Sequence, residues 1–152
     1  MDEPVIAVRH LQTFFNVEGR VSKAVDDISF SVPKGKVVCI VGESGCGKSV
    51  TALSILRLID FPGRIAGGEI LFHNRDILKM NNKEIHNLRG DKISIIFQEP
   101  MTSLNPVFTI GRQITETIRE HTLLDRKEAW EKGVELIKKV NLPRADQIML
   151  SY

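Results

Sequence analysis

The eight residues GESGCGKS, at positions 42–49, have the composition and spacing of a loop that holds phosphate groups. The fixed positions of the pattern G-x-x-x-x-G-K-S are Gly42, Gly47, Lys48 and Ser49, and the positions between them are Glu43, Ser44, Gly45 and Cys46. Glycines let the backbone curl, so that successive N–H groups can point at the oxygen atoms of one nucleotide. We expect Lys48 to reach the β- and γ-phosphates and the Ser49 hydroxyl to ligate Mg²⁺. The structural alternative is a glycine-rich turn that only joins a strand to a helix.

The flanking segments predict the strand and the helix that such a loop needs. Residues 37–41, VVCIV, are apolar throughout and rich in β-branched side chains, which is typical of a strand buried on both faces. Residues 49–59 place Leu53, Leu56 and Ile59 at helical spacing, which predicts an amphipathic helix.

The rest of the first hundred residues reads mainly as strands. Alternation at Leu11, Thr13 and Phe15, and again at Ile28, Phe30 and Val32, predicts two half-buried antiparallel strands. Turns are expected at NVEGR and VPKGK, and a break at FPGRIAGG (61–68). A short strand is predicted at EILFHN (69–74) and a second buried strand at ISIIFQ (93–98).

Helical patterns then dominate. Asn81 followed by Glu84 predicts a capped short helix that ends near Leu88. Further on, isoleucines recur every four residues at Ile110, Ile114 and Ile118. Asp125 followed by Glu128 predicts another helix start, and the apolar face of that helix comprises Trp130, Val134, Ile137 and Val140.

Composition and charge exclude several classes of protein. Of the 152 residues, 42% are hydrophobic and 26% charged, as in an ordinary globular domain, and the net charge of +2 is too weak to indicate nucleic-acid binding. Cys39 and Cys46 lack the spacing of a zinc site and indicate a reduced, cytoplasmic setting, with Cys39 expected in the core. The N-terminus lacks a secretory signal, and the longest apolar run is too short to insert directly into a membrane.

A second motif, IIFQEPMTSLNP at 95–106, narrows the family. Together with GESGCGKS, AVDDISFSV and PGRIAGGEILFHNRDI, it resembles the ATP-binding subunits of ABC transporters, and within them the dipeptide, oligopeptide and nickel importers. The resemblance runs from about Val5 to Tyr152. It implies ATP and Mg²⁺ as cofactors.

The resemblance also implies roles for individual residues. Phe15 would stack on the adenine ring, although the neighbouring Phe14 would take its place if the strand slipped by one residue. Gly42–Ser49 would be the Walker A loop. Gln98 would contact Mg²⁺ and the attacking water, and residues from about Glu99 onward would dock on a membrane subunit. The structural alternatives are an inward-facing strand residue for Phe15 and a surface amide for Gln98.

Two interpretations of the Cys46 side chain remain open. The simpler one is a small loop side chain without a role, and the other is a thiol whose alkylation blocks nucleotide binding.

Other parts that the resemblance leads one to expect do not occur in residues 107–152. These parts are a signature motif, an aliphatic strand ending in Asp-Glu, and a later histidine that contacts the γ-phosphate. We therefore expect a fragment that carries the binding half of an ATPase and is inactive alone.

The predicted fold class is α/β, a P-loop NTPase core of the ABC ATPase type. Residues 1–99 would hold the antiparallel β subdomain and part of the core, and residues 100–152 an incomplete helical subdomain. The resemblance implies peripheral attachment at the cytoplasmic face of the inner membrane. The implied partners are transmembrane permease subunits and a second ATP-binding subunit, with no nucleic acid.

Two functions from other classes remain open. One is a soluble P-loop phosphotransferase, which the motif at 95–106 disfavours. The other is a non-catalytic module that binds ATP and docks on a membrane partner.

Overall fold

The computed structural model describes residues 3–99 and 103–152, which divide into two units between residues 86 and 87. This boundary differs from the one predicted between the functional subdomains, which was placed between residues 99 and 100. The division into functional subdomains stays a prediction.

A four-stranded antiparallel sheet forms the first unit, in the order β2-β1-β3-β4. Its strands are β1 (Pro4–Val17), β2 (Arg20–Pro33), β3 (Gly63–Phe72) and β4 (Arg75–Asp76). Its helices are α1 (Lys48–Ile55), a 3-10 turn (Ile77–Lys79) and α2 (Asn82–Leu88) at the boundary between the units. Val8, Leu11 and Ile70 are at most 1% exposed, and they place the core on one face of the sheet.

The two predicted N-terminal strands are confirmed, and a two-residue turn joins them. Glu18 and Gly19 have φ angles of 51° and 77°, so the turn matches the right-handed twist of the flanking strands. The ladder is not regular, because Thr13 pairs with Val25 whereas Phe14 pairs with Lys23. Ala24 is therefore the extra residue of a β-bulge in β2.

Helix α1 packs on this hairpin through hydroxyl groups. Thr13 and Ser54 are both fully buried, and their hydroxyl oxygens lie 2.8 Å apart. The Ser54 hydroxyl also donates to the carbonyl of Val50 at 2.7 Å. Since a serine has one hydroxyl proton, Thr13 is the donor to Ser54.

Helix α1 ends earlier than predicted. Arg57 has a φ of 53°, and the amides of Arg57 and Leu58 donate to the carbonyls of Ser54 and Leu53. This left-handed cap stops the helix at Ile55 and not at residue 59. Leu56 is buried as predicted.

The predicted break at 61–68 is wrong from Gly63 onward, because β3 begins there. Its glycines allow close approach to β1. A Cβ built at Gly63 would lie 2.5 Å from the Phe15 ring, and one built at Gly68 would lie 2.5 Å from the His10 carbonyl oxygen. A glycine inside a strand permits such an approach.

The two predicted buried strands, 37–41 and 93–98, are also wrong. Residues 37–41 have no strand assignment, and Val37 and Val41 are 91% and 87% exposed. In the second segment only Ile93 makes an isolated bridge, to Arg89, and Ile96 is 91% exposed. A strand requires a neighbour for its N–H and C=O groups, and no such ladder forms for either segment within the described residues. Cys39, expected in the core, is exposed for the same reason.

Three helices form the main part of the second unit: α3 (Ile110–His121), α4 (Arg126–Lys139) and α5 (Ala145–Leu150). They enclose a small core of Val134, Ile137, Ala145 and Met149. The predicted capping box of α4 is confirmed, because Asp125 and Glu128 exchange side-chain to backbone hydrogen bonds. Val140, predicted on the buried face, is 65% exposed because it lies beyond the last turn as the C-cap.

The predicted helix at Asn81 is confirmed as well. The side chains of Asn81 and Glu84 each accept a hydrogen bond from the other's backbone N–H.

Within residues 3–99 and 103–152, no helix combines the length and apolar character that a membrane crossing requires.

The buried hydroxyl pair generates a prediction for stability. Ser54→Ala should lower the free energy of unfolding more than Thr13→Val, because the first change leaves the Thr13 hydroxyl buried without an acceptor. An unsatisfied buried donor costs about 1–3 kcal/mol. Urea unfolding monitored by circular dichroism measures the difference.

The double variant is the control. With Val at position 13, no donor is orphaned when Ser54 is changed. The double variant should therefore be more stable than Ser54→Ala alone, and a double variant that is less stable would contradict the assignment of the donor.

Candidate nucleotide-binding site

The predicted phosphate loop leads directly into α1. Gly45 and Gly47 have φ angles of 81° and 91°, a backbone conformation that glycine adopts without steric cost. Gly47 is the N-cap residue of α1, and no side chain caps the helix there. The first amides of α1 therefore have no partner within the helix, and they are available to an anion.

Lys48 closes over the loop that precedes it. Its ammonium nitrogen donates to the carbonyl oxygen of Gly42 at 2.8 Å and to that of Glu43 at 2.6 Å. The positive charge thus lies on the inner side of the loop, where a polyphosphate would lie. A phosphate oxygen would replace these neutral acceptors with a charged one, which makes a stronger hydrogen bond.

The β-bulge of β2 supports the loop. A Cβ built at Gly47 would lie 2.2 Å from the Ala24 carbonyl oxygen and 3.5 Å from a methyl carbon of Val25. Only a glycine allows this approach, because Ala24 presents backbone that cannot rotate away. The loop is therefore seated on the hairpin at Gly47.

Phe15 and Phe14 lie on opposite faces of β1. The ring of Phe15 is half-buried against Gly63, next to Ile59, whereas Phe14 lies beside the Lys23 ammonium, which is 5.4 Å from its ring centroid. No residue is inserted in β1 between Thr13 and Phe15, since the bulge there belongs to β2 and the pairing with β3 is regular over these residues. Phe15 therefore shares the face of Thr13, which is the face that contacts α1.

Ser49 and Gln98, the predicted magnesium ligands, lie in different units. Ser49 is exposed in the first turn of α1, and its hydroxyl forms no side-chain hydrogen bond with the described residues. Gln98 and Glu99 are exposed in the second unit. The predicted docking segment continues through residues 100–102, which lie outside the described residues.

Glu43, Ser44 and Cys46 are exposed in the loop. The Cys46 sulfur is 3.4 Å from the Lys48 ammonium nitrogen. A Cβ built at Gly42 would lie 2.6 Å from that sulfur, so Gly42 leaves room for the thiol inside the curl of the loop. Neither reading of Cys46 is tested by this placement.

Sequence patterns did not identify Ala24, which contacts the loop, or Thr13 and Ser54, which join the hairpin to α1. A signal was present in two of them. Thr13 interrupts the apolar face of its strand, and Ser54 lies among leucines and isoleucines in its helix. A polar residue on a face expected to be apolar requires a buried hydrogen-bond partner, but the sequence does not identify which residue that partner is.

Comparisons with known proteins agree on one family. The family model described as ABC transporter matches residues 25–152. A probable peptide ABC transporter ATP-binding protein of Sinorhizobium fredii is 43% identical over 149 residues, which are 97% of this chain and 44% of the relative. The oligopeptide transport ATP-binding protein AppD of Bacillus subtilis is 44% identical over 97% of this chain and 45% of its own length. The chain thus spans less than half the length of these relatives.

A solved structure supports the fold. It is the dimeric ATP-binding cassette MJ0796 in a post-hydrolysis state bound to ADP and Pi, with a TM-score of 0.78 and 20% identity. The match covers 91% of this chain and 58% of the cassette. At this identity the comparison shows the fold alone, which agrees with the predicted α/β class.

The contact at Gly47 generates a second prediction. Gly47→Ala should lower the free energy of unfolding more than Gly45→Ala. Both residues have a left-handed φ, which costs a non-glycine residue about 1–2 kcal/mol. Only Gly47 adds a clash with backbone, because a Cβ at Gly45 has no atom within 4 Å. Thermal unfolding of the two variants measures the difference, and equal destabilisation would contradict the seating of the loop on Ala24.

Proposed function

The chain belongs to the ABC transporter family, and we propose that it forms the ATP-binding part of a subunit that energises peptide import across a membrane. The observation that carries the proposal is the loop 42–49, with its left-handed glycines and a lysine ammonium directed at its interior. The choice of peptide import rests on the printed names of the two relatives, which are peptide and oligopeptide transport proteins.

ATP is the proposed nucleotide. The loop amides and Lys48 would hold its β- and γ-phosphates, as in other loops of this pattern. Phe15 would stack on adenine, a role that its position on the α1 side of the sheet supports. The cassette of the solved structure binds ADP and Pi, so its fold accommodates an adenine nucleotide.

Mg²⁺ would bind together with the nucleotide. The Ser49 hydroxyl fits this role because it is exposed, carries an oxygen that a hard cation prefers, and forms no side-chain bond within the described residues. When bound, Mg²⁺ would neutralise charge on the β- and γ-phosphates. Gln98 is the second proposed ligand.

The proposed partners are transmembrane permease subunits and a second ATP-binding subunit. The dimeric state of the solved cassette supports the second of these partners. We place the assembly peripherally at the cytoplasmic face of the inner membrane. The transported substrate would then be selected by other subunits, since the features on this chain concern the nucleotide.

The first experiment tests nucleotide binding. Lys48→Ala should lower the affinity for Mg-ATP about tenfold or more, because it removes charge-assisted hydrogen bonds worth roughly 1.5–3 kcal/mol each. Calorimetric titration gives the dissociation constants. Lys83→Ala, which removes the same charge from an exposed position in α2, should bind like the parent.

Both outcomes of this comparison are informative. Equal affinity in Lys48→Ala and in the parent chain would contradict the phosphate-loop assignment. Equal losses of ATP affinity in both lysine variants would mean that the loss follows from the change in net charge and not from a contact with the phosphates.

A second experiment concerns turnover. We expect the chain to bind Mg-ATP without hydrolysing it, because no acidic residue in 107–152 is placed at the end of a buried strand as a base for water. Phosphate release should equal that of Lys48→Ala, which reports contaminating ATPase. Release well above that control would locate a base within this chain.

The same experiment, repeated with small acceptors added, separates the phosphotransferase from the proposed function. A non-catalytic docking module would bind ATP and bind a permease subunit, with no release above the control. A phosphotransferase would transfer phosphate to a small acceptor, and ATP consumption would rise when acceptors are added.

A further inference from the structure

Two buried hydroxyl groups connect the strand that carries Phe15 to the helix that follows the phosphate loop. Thr13 and Ser54 are 41 residues apart in sequence and 0% exposed, and their oxygens are 2.8 Å apart. With Thr51, they are the buried polar residues among the described parts of the chain. A buried hydrogen bond between two elements fixes their register, because sliding either one would leave the Thr13 proton without an acceptor.

The contact extends along one face of α1. Gly47, Thr51 and Ser54 are spaced by four and three residues, so they lie on the same side of the helix. The Thr51 hydroxyl donates to the Gly47 carbonyl at 2.9 Å, which connects this face to the N-cap residue of α1. The face that supports the loop at one end thus meets Thr13 at the other.

Both ends of this face of α1 pack on neighbouring residues of the hairpin. Gly47 lies against Ala24 and Val25, and Val25 is the cross-strand partner of Thr13. Phe15 follows Thr13 by two residues on the same face of β1. A short series of contacts therefore joins the phosphate loop to Phe15 through Thr13.

We propose that Thr13 and Ser54 are positioning residues that set the separation between the Phe15 ring and the phosphate loop. The pair would hold the two contacts at a fixed separation, so that base and phosphates bind together. A ligand that engages both places benefits from this preorganisation, whereas a ligand with phosphates alone does not. The proposal rests on the proposed function and adds a determinant of base selectivity to it.

The test compares two ligands, Mg-ATP and inorganic tripolyphosphate with Mg²⁺. Thr13→Val keeps the shape of the side chain and removes its hydroxyl. It should weaken ATP binding about three- to tenfold, equivalent to ~0.7–1.4 kcal/mol. Its affinity for tripolyphosphate should stay within about twofold of the parent, since the loop itself is unchanged. Thr13→Ser keeps the hydroxyl that Thr13→Val removes, and its ATP affinity should stay close to that of the parent.

A coupled variant shows whether the effect passes through Phe15. Phe15→Ala should reduce ATP binding towards that of tripolyphosphate. Adding Thr13→Val to Phe15→Ala should then cause no further loss. Ile77→Val is the matched control, because it shortens a fully buried side chain of the same unit and should leave both affinities unchanged.

Each result decides the matter. Equal loss for both ligands in Thr13→Val would reduce the pair to a stabilising contact and overturn the proposal. Full additivity with Phe15→Ala, or unchanged ATP binding in Thr13→Val, would overturn it as well. Failure of the proposed function looks different, because Lys48→Ala and Phe15→Ala would then bind ATP as the parent does.

Discussion

The contact between Gly47 and the carbonyl of Ala24 is the constraint on which the rest of the candidate site depends. A bulge places that carbonyl against the loop, and the missing side chain of Gly47 makes room for it. This contact therefore orients the loop on the hairpin at Gly47. The direction of the first α1 amides, and with it the place where an anion would lie, follows from this orientation.

The hairpin is long enough to carry both Phe15 and the residues that contact the phosphate loop. Its two strands are 14 residues long. β1 carries Phe15 near the turn, and β2 carries Ala24, against which the phosphate loop packs, further from the turn. The contacts proposed for the base and for the phosphates thus belong to one unit of the structure. Gln98 belongs to the other unit.

Sequence patterns predicted the features that depend on neighbouring residues. The caps at Asn81 and Asp125 form between residues three apart, and the turn at Glu18 and Gly19 follows from backbone preferences of two residues. Each of these needs no information about distant parts of the chain. The loop 42–49 was recognised for the same reason, since its chemistry is contained in eight consecutive residues.

The errors concern relations between distant segments. The apolar run at 37–41 predicted burial, but a strand is defined by a partner, and the described residues supply none. Gly63 and Gly68 suggested a break because the strand residues they closely approach, Phe15 and His10, are 48 and 58 residues earlier in the chain. The bond between Thr13 and Ser54 was invisible for the same reason.

The hydrogen bonds of Lys48 have a consequence for ligand discrimination. Its ammonium group already has two carbonyl acceptors, so a ligand gains from this lysine only by offering something better than a carbonyl oxygen. An uncharged nucleoside offers no such acceptor and would leave Lys48 where it is. A polyphosphate would displace both carbonyls, and the gain grows with the negative charge that it brings. A ligand must therefore offer Lys48 more negative charge than two carbonyl oxygens do before the lysine changes partners.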